Sequence, residues 1–239
     1  MRFGLVAANI GSYSRPANVV RLAETAEAAG WEALLLWDHL AWVWDGPPAD
    51  PWVTLAAVAT HTERLLLGTA VTPVPRRRPH VLALQVATLD DLSDGRAILG
   101  AGLGGNEREF TDFGESFDKE QRWRLLERGL EQITELWAGP LGPREIPVWI
   151  GGNSARARRL AATYDGWIPD STTPSGMSMT PEEIRAGGVG EIAVMGYSHR
   201  GERDLHDRYE QGGATWWLES LHDRRGSFDE LLARIAAGP

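Results

Sequence analysis

Residues 3–37 read FGLVAANIGSYSRPANVVRLAETAEAAGWEALLLW. Two apolar runs, 3–8 and 33–37, flank a stretch in which Val19, Leu22, Ala23 and Ala26 recur at three- and four-residue steps. That is a strand, an amphipathic helix closed by Gly30, and a second strand. Neither run alternates with polar residues, as expected for parallel strands buried on both faces. The first leads into Asn9-Ile10-Gly11-Ser12-Tyr13, without the Gly-x-Gly-x-x-Gly turn of dinucleotide folds.

The same rhythm continues outward. Further apolar runs stand at 65–71, 96–100, 147–151, 166–169, 191–196 and 214–218, giving eight candidate strands. Helical stripes lie between and after them, at Leu126, Leu130, Ile133 and Trp137 and at Phe228, Leu231, Leu232 and Ile235, and Thr180-Pro181-Glu182-Glu183 reads as a capped helix start. Eight strand–helix units predict an α/β fold, a TIM-type (β/α)8 barrel, in one domain over residues 1–239. An open doubly wound sheet is the alternative. Strand starts fall 30, 32 and 31 residues apart, then 51, 19, 25 and 23, so the second half is shortened.

Composition narrows the function. Twenty-four basic against 33 acidic residues give a net charge of −9, which disfavours nucleic-acid and membrane-surface partners. No apolar run approaches the roughly 20 residues of a membrane span. The start, Met1-Arg2-Phe3, lacks the apolar stretch of a signal peptide, so a cytoplasmic location is expected. The absence of Cys removes disulfides and thiolate chemistry, and there is neither a His-x-His pair nor a carboxylate cluster at the strand ends for a catalytic metal.

Barrel chemistry sits just after the strand C-termini. There the sequence places Asp38 and His39, an imidazole that reads either as a proton-transfer group or as a loop cap. Trp37, Trp42 and Trp44 read as walls for a flat ligand or as core packing. Gly151-Gly152-Asn153-Ser154 ends a strand and opens a helix, which suits a phosphate or a plain turn. Arg76-Arg77-Arg78 reads as a solvated run or as an anion site at the same mouth.

In order along residues 1–169, these segments resemble the bacterial luciferase-like superfamily of flavin- and deazaflavin-dependent oxidoreductases. The resemblance rests on Leu34-Leu35-Leu36-Trp37-Asp38-His39-Leu40, Asp50-Pro51-Trp52, Leu67-Gly68-Thr69-Ala70-Val71 with Arg78-Pro79, and Ala87 to Arg96. It continues through Gly100-Ala101-Gly102, Asn106-Glu107, Pro147 to Gly152 and Asp165-Gly166-Trp167-Ile168. It implies a ring-shaped cofactor at the barrel mouth, held by Asp38, by a bulge at Ala70, Val71 and Thr72 whose first peptide is cis, by Asn106, and by a phosphate cradle at Gly151, Gly152, Asn153 and Ser154. His39 is implied as the proton-handling residue, with Asp38 its neighbour more than its partner. Glu107 is implied as a carboxylate that orders the loop or handles protons. From their place at the mouth, Trp42, Trp44 and Arg77 are expected to form the substrate pocket.

The Trp37-Asp38-His39 form resembles deazaflavin-dependent members. Arg in place of Lys everywhere except Lys119 suits the GC-rich actinobacteria that make coenzyme F420. Hydride transfer between F420 and a small organic substrate is therefore favoured over oxygen activation with reduced FMN. The loop from Gly102 to Glu107 lacks an acidic residue that sugar-phosphate-oxidising relatives carry, which counts against that substrate. The brief polar segment from Pro169 to Met179 leaves three alternatives: an open pocket, a pocket closed by a second copy in a homodimer, or a barrel that binds flavin without turnover.

Overall fold

The computed structural model describes residues 1–40, 46–173, 176–187, 190–199 and 201–239. Trp42 and Trp44 lie outside the described residues. Eight parallel strands are described: β1 (Arg2–Ala7), β2 (Ala33–Leu36), β3 (Leu66–Thr69), β4 (Ala97–Gly102), β5 (Val148–Gly151), β6 (Gly166–Ile168), β7 (Glu191–Gly196) and β8 (Trp216–Leu221). Each pairs with the next, and β8 pairs with β1 from Arg2↔Trp216 to Ala7↔Leu221, which closes a (β/α)8 barrel rather than an open sheet. The corresponding helices are α1 (Pro16–Ala28), α2 (Pro51–Ala59), α3 (Pro79–Leu92), α4 (Lys119–Ala138), α5 (Ala155–Ala161), α6 (Pro181–Arg185), α7 (Arg203–Gln211) and α8 (Phe228–Ala236). α4 has 20 residues, whereas α5 has seven and α6 five, so the second half is shortened in its helices.

The continuous apolar runs have a direct cause. In β2, Ala33 and Leu35 face the barrel interior with Val6, Ile98, Trp149, Trp216 and Leu218, while Leu34 and Leu36 face the helix layer. Both faces are buried, so neither tolerates a polar residue without a partner. β8 departs from the expected run at 214–218. It continues through Glu219 because that carboxylate, fully buried, accepts from the Ser198 N–H at 3.0 Å, the Ser198 hydroxyl at 2.5 Å and Trp217 Nε1 at 2.9 Å, and pairs with Arg225.

β3 ends in the feature that shapes the mouth. Gly68 pairs with Ile98, and the chain rejoins β4 at Thr72↔Ala101, so four residues of advance on one side oppose three on the other. The extra residue makes a β-bulge, and its Ala70–Val71 peptide is cis. Gly100 runs beneath this turn, where a Cβ would fall 1.7 Å from the Thr69 carbonyl oxygen. Gly100→Ala is therefore expected to destabilise the fold by about 1–3 kcal/mol or more, since backbone cannot yield as a side-chain tip does. A lower urea midpoint at unchanged slope would show it; an unchanged midpoint would mean the bulge relaxes freely.

Candidate active site

The C-terminal ends of the strands surround a cavity of about 420 Å³. Its walls are largely apolar, from Trp37, Val71, Leu103 and Ile168, with polar groups from Asp38, His39, Glu109, Asp170, Thr172, Thr173 and Tyr197. Glycines from β4 and β5 admit the bulge: a Cβ on Gly102 would stand 2.3 Å from Val71 Cγ2, and one on Gly151 2.8 Å from Val71 Cγ1. Larger residues at either position would drive Val71 into the cavity.

The β2 end is fixed from β1. Asn9, 2% exposed, receives the His39 N–H on Oδ1 at 3.1 Å and donates Nδ2 to the carbonyls of His39 at 2.9 Å and Ala49 at 2.8 Å. The backbone beneath His39 is thus clamped independently of its ring. His39 Nδ1 lies 3.0 Å from Glu109 Oε1, which also accepts the Leu40 N–H at 2.7 Å. The other Glu109 oxygen takes Arg76 at 2.5 Å. Arg76 continues to the Asp38 carbonyl and carboxylate, and Arg77 grips Asp38 in a two-pronged contact at 2.8 and 2.9 Å. Arg76 and Arg77 thus stand behind the wall and tie together the two cavity-lining carboxylates, Asp38 and Glu109.

Burial by itself would raise the Glu109 pKa. The hydrogen bond and charge of His39, the Leu40 N–H and Arg76 outweigh it and hold the carboxyl below its ordinary value. Beside an ionised Glu109, Nδ1 of His39 carries a proton in either charge state of the ring, and in the uncharged ring Nε2 is then the acceptor.

The expected site residues divide accordingly. Asp38, His39, Ala70, Val71, Gly151 and Gly152 line the cavity. Thr72 points into the core instead, where its hydroxyl accepts from Trp52 Nε1 at 3.2 Å and donates to Thr69 at 3.1 Å. Asn106 accepts the Arg108 N–H at 3.3 Å and lies off the cavity wall. Glu107 is exposed; the loop carboxylate that meets His39 is Glu109, because the single helical turn Arg108–Thr111 turns Glu109 and Phe110 inward and Glu107 outward. Arg77 is engaged by Asp38 and Asp50 behind the wall rather than lining it.

At the β5 turn, Ser154 caps α5 through the Ala157 N–H, and Asn153 bonds both backbone groups of Asp170 at 2.8 Å. Beside them stands Arg158, which the sequence reading missed. It donates to the Asn153 carbonyl at 3.2 Å and has no carboxylate partner among the described residues. Asp170 sits on the rim with an exposed face, yet the surrounding wall desolvates its carboxyl and pushes the pKa up.

Comparison with known proteins bears on the fold and the family. A relative from Microbacterium testaceum, an F420-dependent glucose-6-phosphate dehydrogenase, is 33% identical over 195 residues, covering 72% of this chain. The chain spans 57% of that relative's length. An F420-dependent secondary alcohol dehydrogenase in complex with an F420–acetone adduct superposes with a TM-score of 0.74 at 18% identity, covering 100% of this chain and 99% of the other. The FMN-bound oxygenating constituent of 3,6-diketocamphane monooxygenase from Pseudomonas putida superposes at 0.66 and 17% identity, over 82% and 67% of the two chains. At such identities the two structures share the fold alone. The sequence model of the luciferase-like monooxygenases matches residues 1–198, and the chain belongs to that family.

Proposed function

We propose that this chain is an oxidoreductase that binds coenzyme F420 at the barrel mouth and passes a hydride between it and a small organic substrate. The observation that carries this reading is an imidazole on a ring-sized cavity, with its tautomer set by a buried, ionised Glu109. The fit is good in size, since about 420 Å³ lies within the roughly 300–1,000 Å³ of ligand pockets. It is good in shape, since Gly102 and Gly151 leave Val71 and the cis bulge free to form one wall. Ala70 and Val71 would back the ring, and the turn from Gly151 to Ser154 with Arg158 would meet the phosphate.

When bound, F420 supplies a carbon that accepts or releases a hydride. The chain supplies the rest. His39 Nε2 takes the proton from a substrate hydroxyl, or returns it to a carbonyl oxygen, as the hydride moves. Glu109 stabilises the imidazolium that forms, and the Asp38–Arg76–Arg77 cluster keeps Glu109 in place. The F420 dependence of the 33%-identical relative supports the same cofactor.

Titrating the purified protein with F420 and with FMN, reduced and oxidised, tests the proposal. Tighter binding of F420 is expected. Arg158→Gln should weaken F420 by about tenfold, the range of one charge-assisted hydrogen bond. Tighter binding of reduced FMN would replace hydride transfer with an oxygen-using monooxygenase, and binding without turnover of any alcohol or ketone would leave a flavin-binding barrel.

A further inference from the structure

A polar edge of the cavity has no part in the hydride transfer proposed above. Thr172, after β6, and Tyr197, after β7, both line the cavity and are hydrogen-bonded through their side chains. Tyr197 Oη also lies 3.0 Å from Nε2 of His222, which follows β8 and is 1% exposed. The His222 ring stands edge-on to Tyr197, with centroids 5.7 Å apart, and rests against Trp37 at 6.1 Å. Trp37 in turn meets His39 at 5.7 Å. Arg225 covers the phenol ring at 5.2 Å while bonded to the carbonyls of Ser198 and Ser220 and paired with Glu219. The phenol of this cavity-lining residue is held from several sides.

Burial, with Arg225 and Arg224 nearby, lowers the His222 pKa to about 4. The imidazole is therefore neutral at ordinary pH. It orients the phenol without exchanging a charge with it.

The charges around the cavity add a second constraint. Arg76 and Arg77 neutralise Asp38 and Glu109, whereas Asp170 has no cationic partner among the described residues. No described Lys or Arg lines the cavity. Away from Arg158 at the β5 turn, an anionic substrate group would meet the unbalanced charge of Asp170 and no described counter-ion.

We infer that Tyr197 and Thr172 form the substrate-recognising edge of the cavity, holding the hydroxyl or carbonyl oxygen of an uncharged substrate, and that His222 is the positioning residue for Tyr197. The inference rests on the substrate site proposed above. It sets His39 and Tyr197 on walls three strands apart around the barrel, lining one cavity. It also sets this chain apart from enzymes that take phosphorylated sugars.

Cyclohexanol and cyclohexanecarboxylate, matched in shape and different in charge, are suitable probes. Their dissociation constants would be measured by ligand-detected NMR at pH 7, on the free chain and on the chain saturated with F420. The alcohol should bind at least about tenfold more tightly than the carboxylate, since opposed like charges are costly. Tyr197→Phe, which keeps the ring, should weaken the alcohol by roughly three- to tenfold, the range of one hydrogen bond, with F420 affinity unchanged and the melting temperature lowered by about 2–12 °C because His222 Nε2 loses its partner. His222→Leu should reproduce that loss, and His222→Gln, which keeps a hydrogen-bonding group, should restore most of the affinity.

Unchanged alcohol binding in a folded Tyr197→Phe variant would make Tyr197 a packing residue and overturn the inference. Equal binding of the carboxylate would overturn the substrate class. If F420 failed to bind while the free chain still discriminated between the probes, the cofactor reading would fall and the recognition edge would stand.

Discussion

His39→Ala is expected to slow single-turnover reduction of bound F420 by an alcohol at least a hundredfold, while cofactor affinity stays within a few-fold. The size follows from general base catalysis, usually worth about 10²–10⁴ in rate. The selectivity follows from the geometry. Asn9 holds the His39 backbone through both its N–H and its carbonyl, so removing the ring leaves the strand end in place. Glu109 keeps the Leu40 N–H and Arg76 as partners when it loses the imidazole. The ring is 30% exposed, toward the cavity side, so its loss opens space without collapsing the core. What disappears is the imidazole at the cavity, and with it the proposed acceptor for the proton that must leave as the hydride does. A rate within threefold of the parent would make His39 a loop cap. A collapse in F420 affinity would place it in the binding site and favour a non-catalytic barrel.

How far the sequence disclosed this site depends on the range of the forces involved. The barrel was legible because parallel strands buried on both faces need unbroken apolar runs, a signal contained within each strand. The bulge was legible only through the family resemblance, since nothing local in Thr69-Ala70-Val71-Thr72 demands a cis bond. The end of β8 was misplaced because Glu219 reads as a surface residue until Ser198, Trp217 and Arg225 are seen to satisfy it. Glu109 was invisible for a similar reason: its partners lie 33 residues back at Arg76 and 70 back at His39, and no local pattern separates it from Glu107. One signal was present. Three consecutive arginines at a barrel mouth require carboxylates nearby, and the inward-turning Phe110 marks its neighbour Glu109 as the residue that can reach them.

Glu109→Ala is expected to cost about 3–5 kcal/mol of stability, because it leaves a buried charge without compensation. The side chains of Glu109, Asp38 and Arg76 are 1%, 2% and 7% exposed, so solvent screens this cluster little. Without Glu109, Arg76 is left with Asp38 alone, which it shares with Arg77, and the Leu40 N–H loses its acceptor. At about 2–4 °C per kcal/mol for a chain of this size, the melting temperature should fall by roughly 6–20 °C. Replacing both partners, as in Glu109→Leu with Arg76→Met, should recover part of the loss, since the pair is then removed rather than broken. The pH dependence separates the charge from the packing. Glu109 titrates below its ordinary 4.5 in the folded protein, so its contribution is complete above that value and is lost as the pH falls through the folded pKa. His222, lowered from 6.5 to about 4, weakens the fold earlier, as the pH falls from 6.5 toward 4. In Glu109→Gln the upper part of the acid limb should persist while the part below 4.5 flattens. Urea denaturation between pH 3 and 7 would resolve the two ranges. An acid limb in Glu109→Gln that matched the parent throughout would show that the Glu109 charge contributes nothing to holding the His39 side of the mouth.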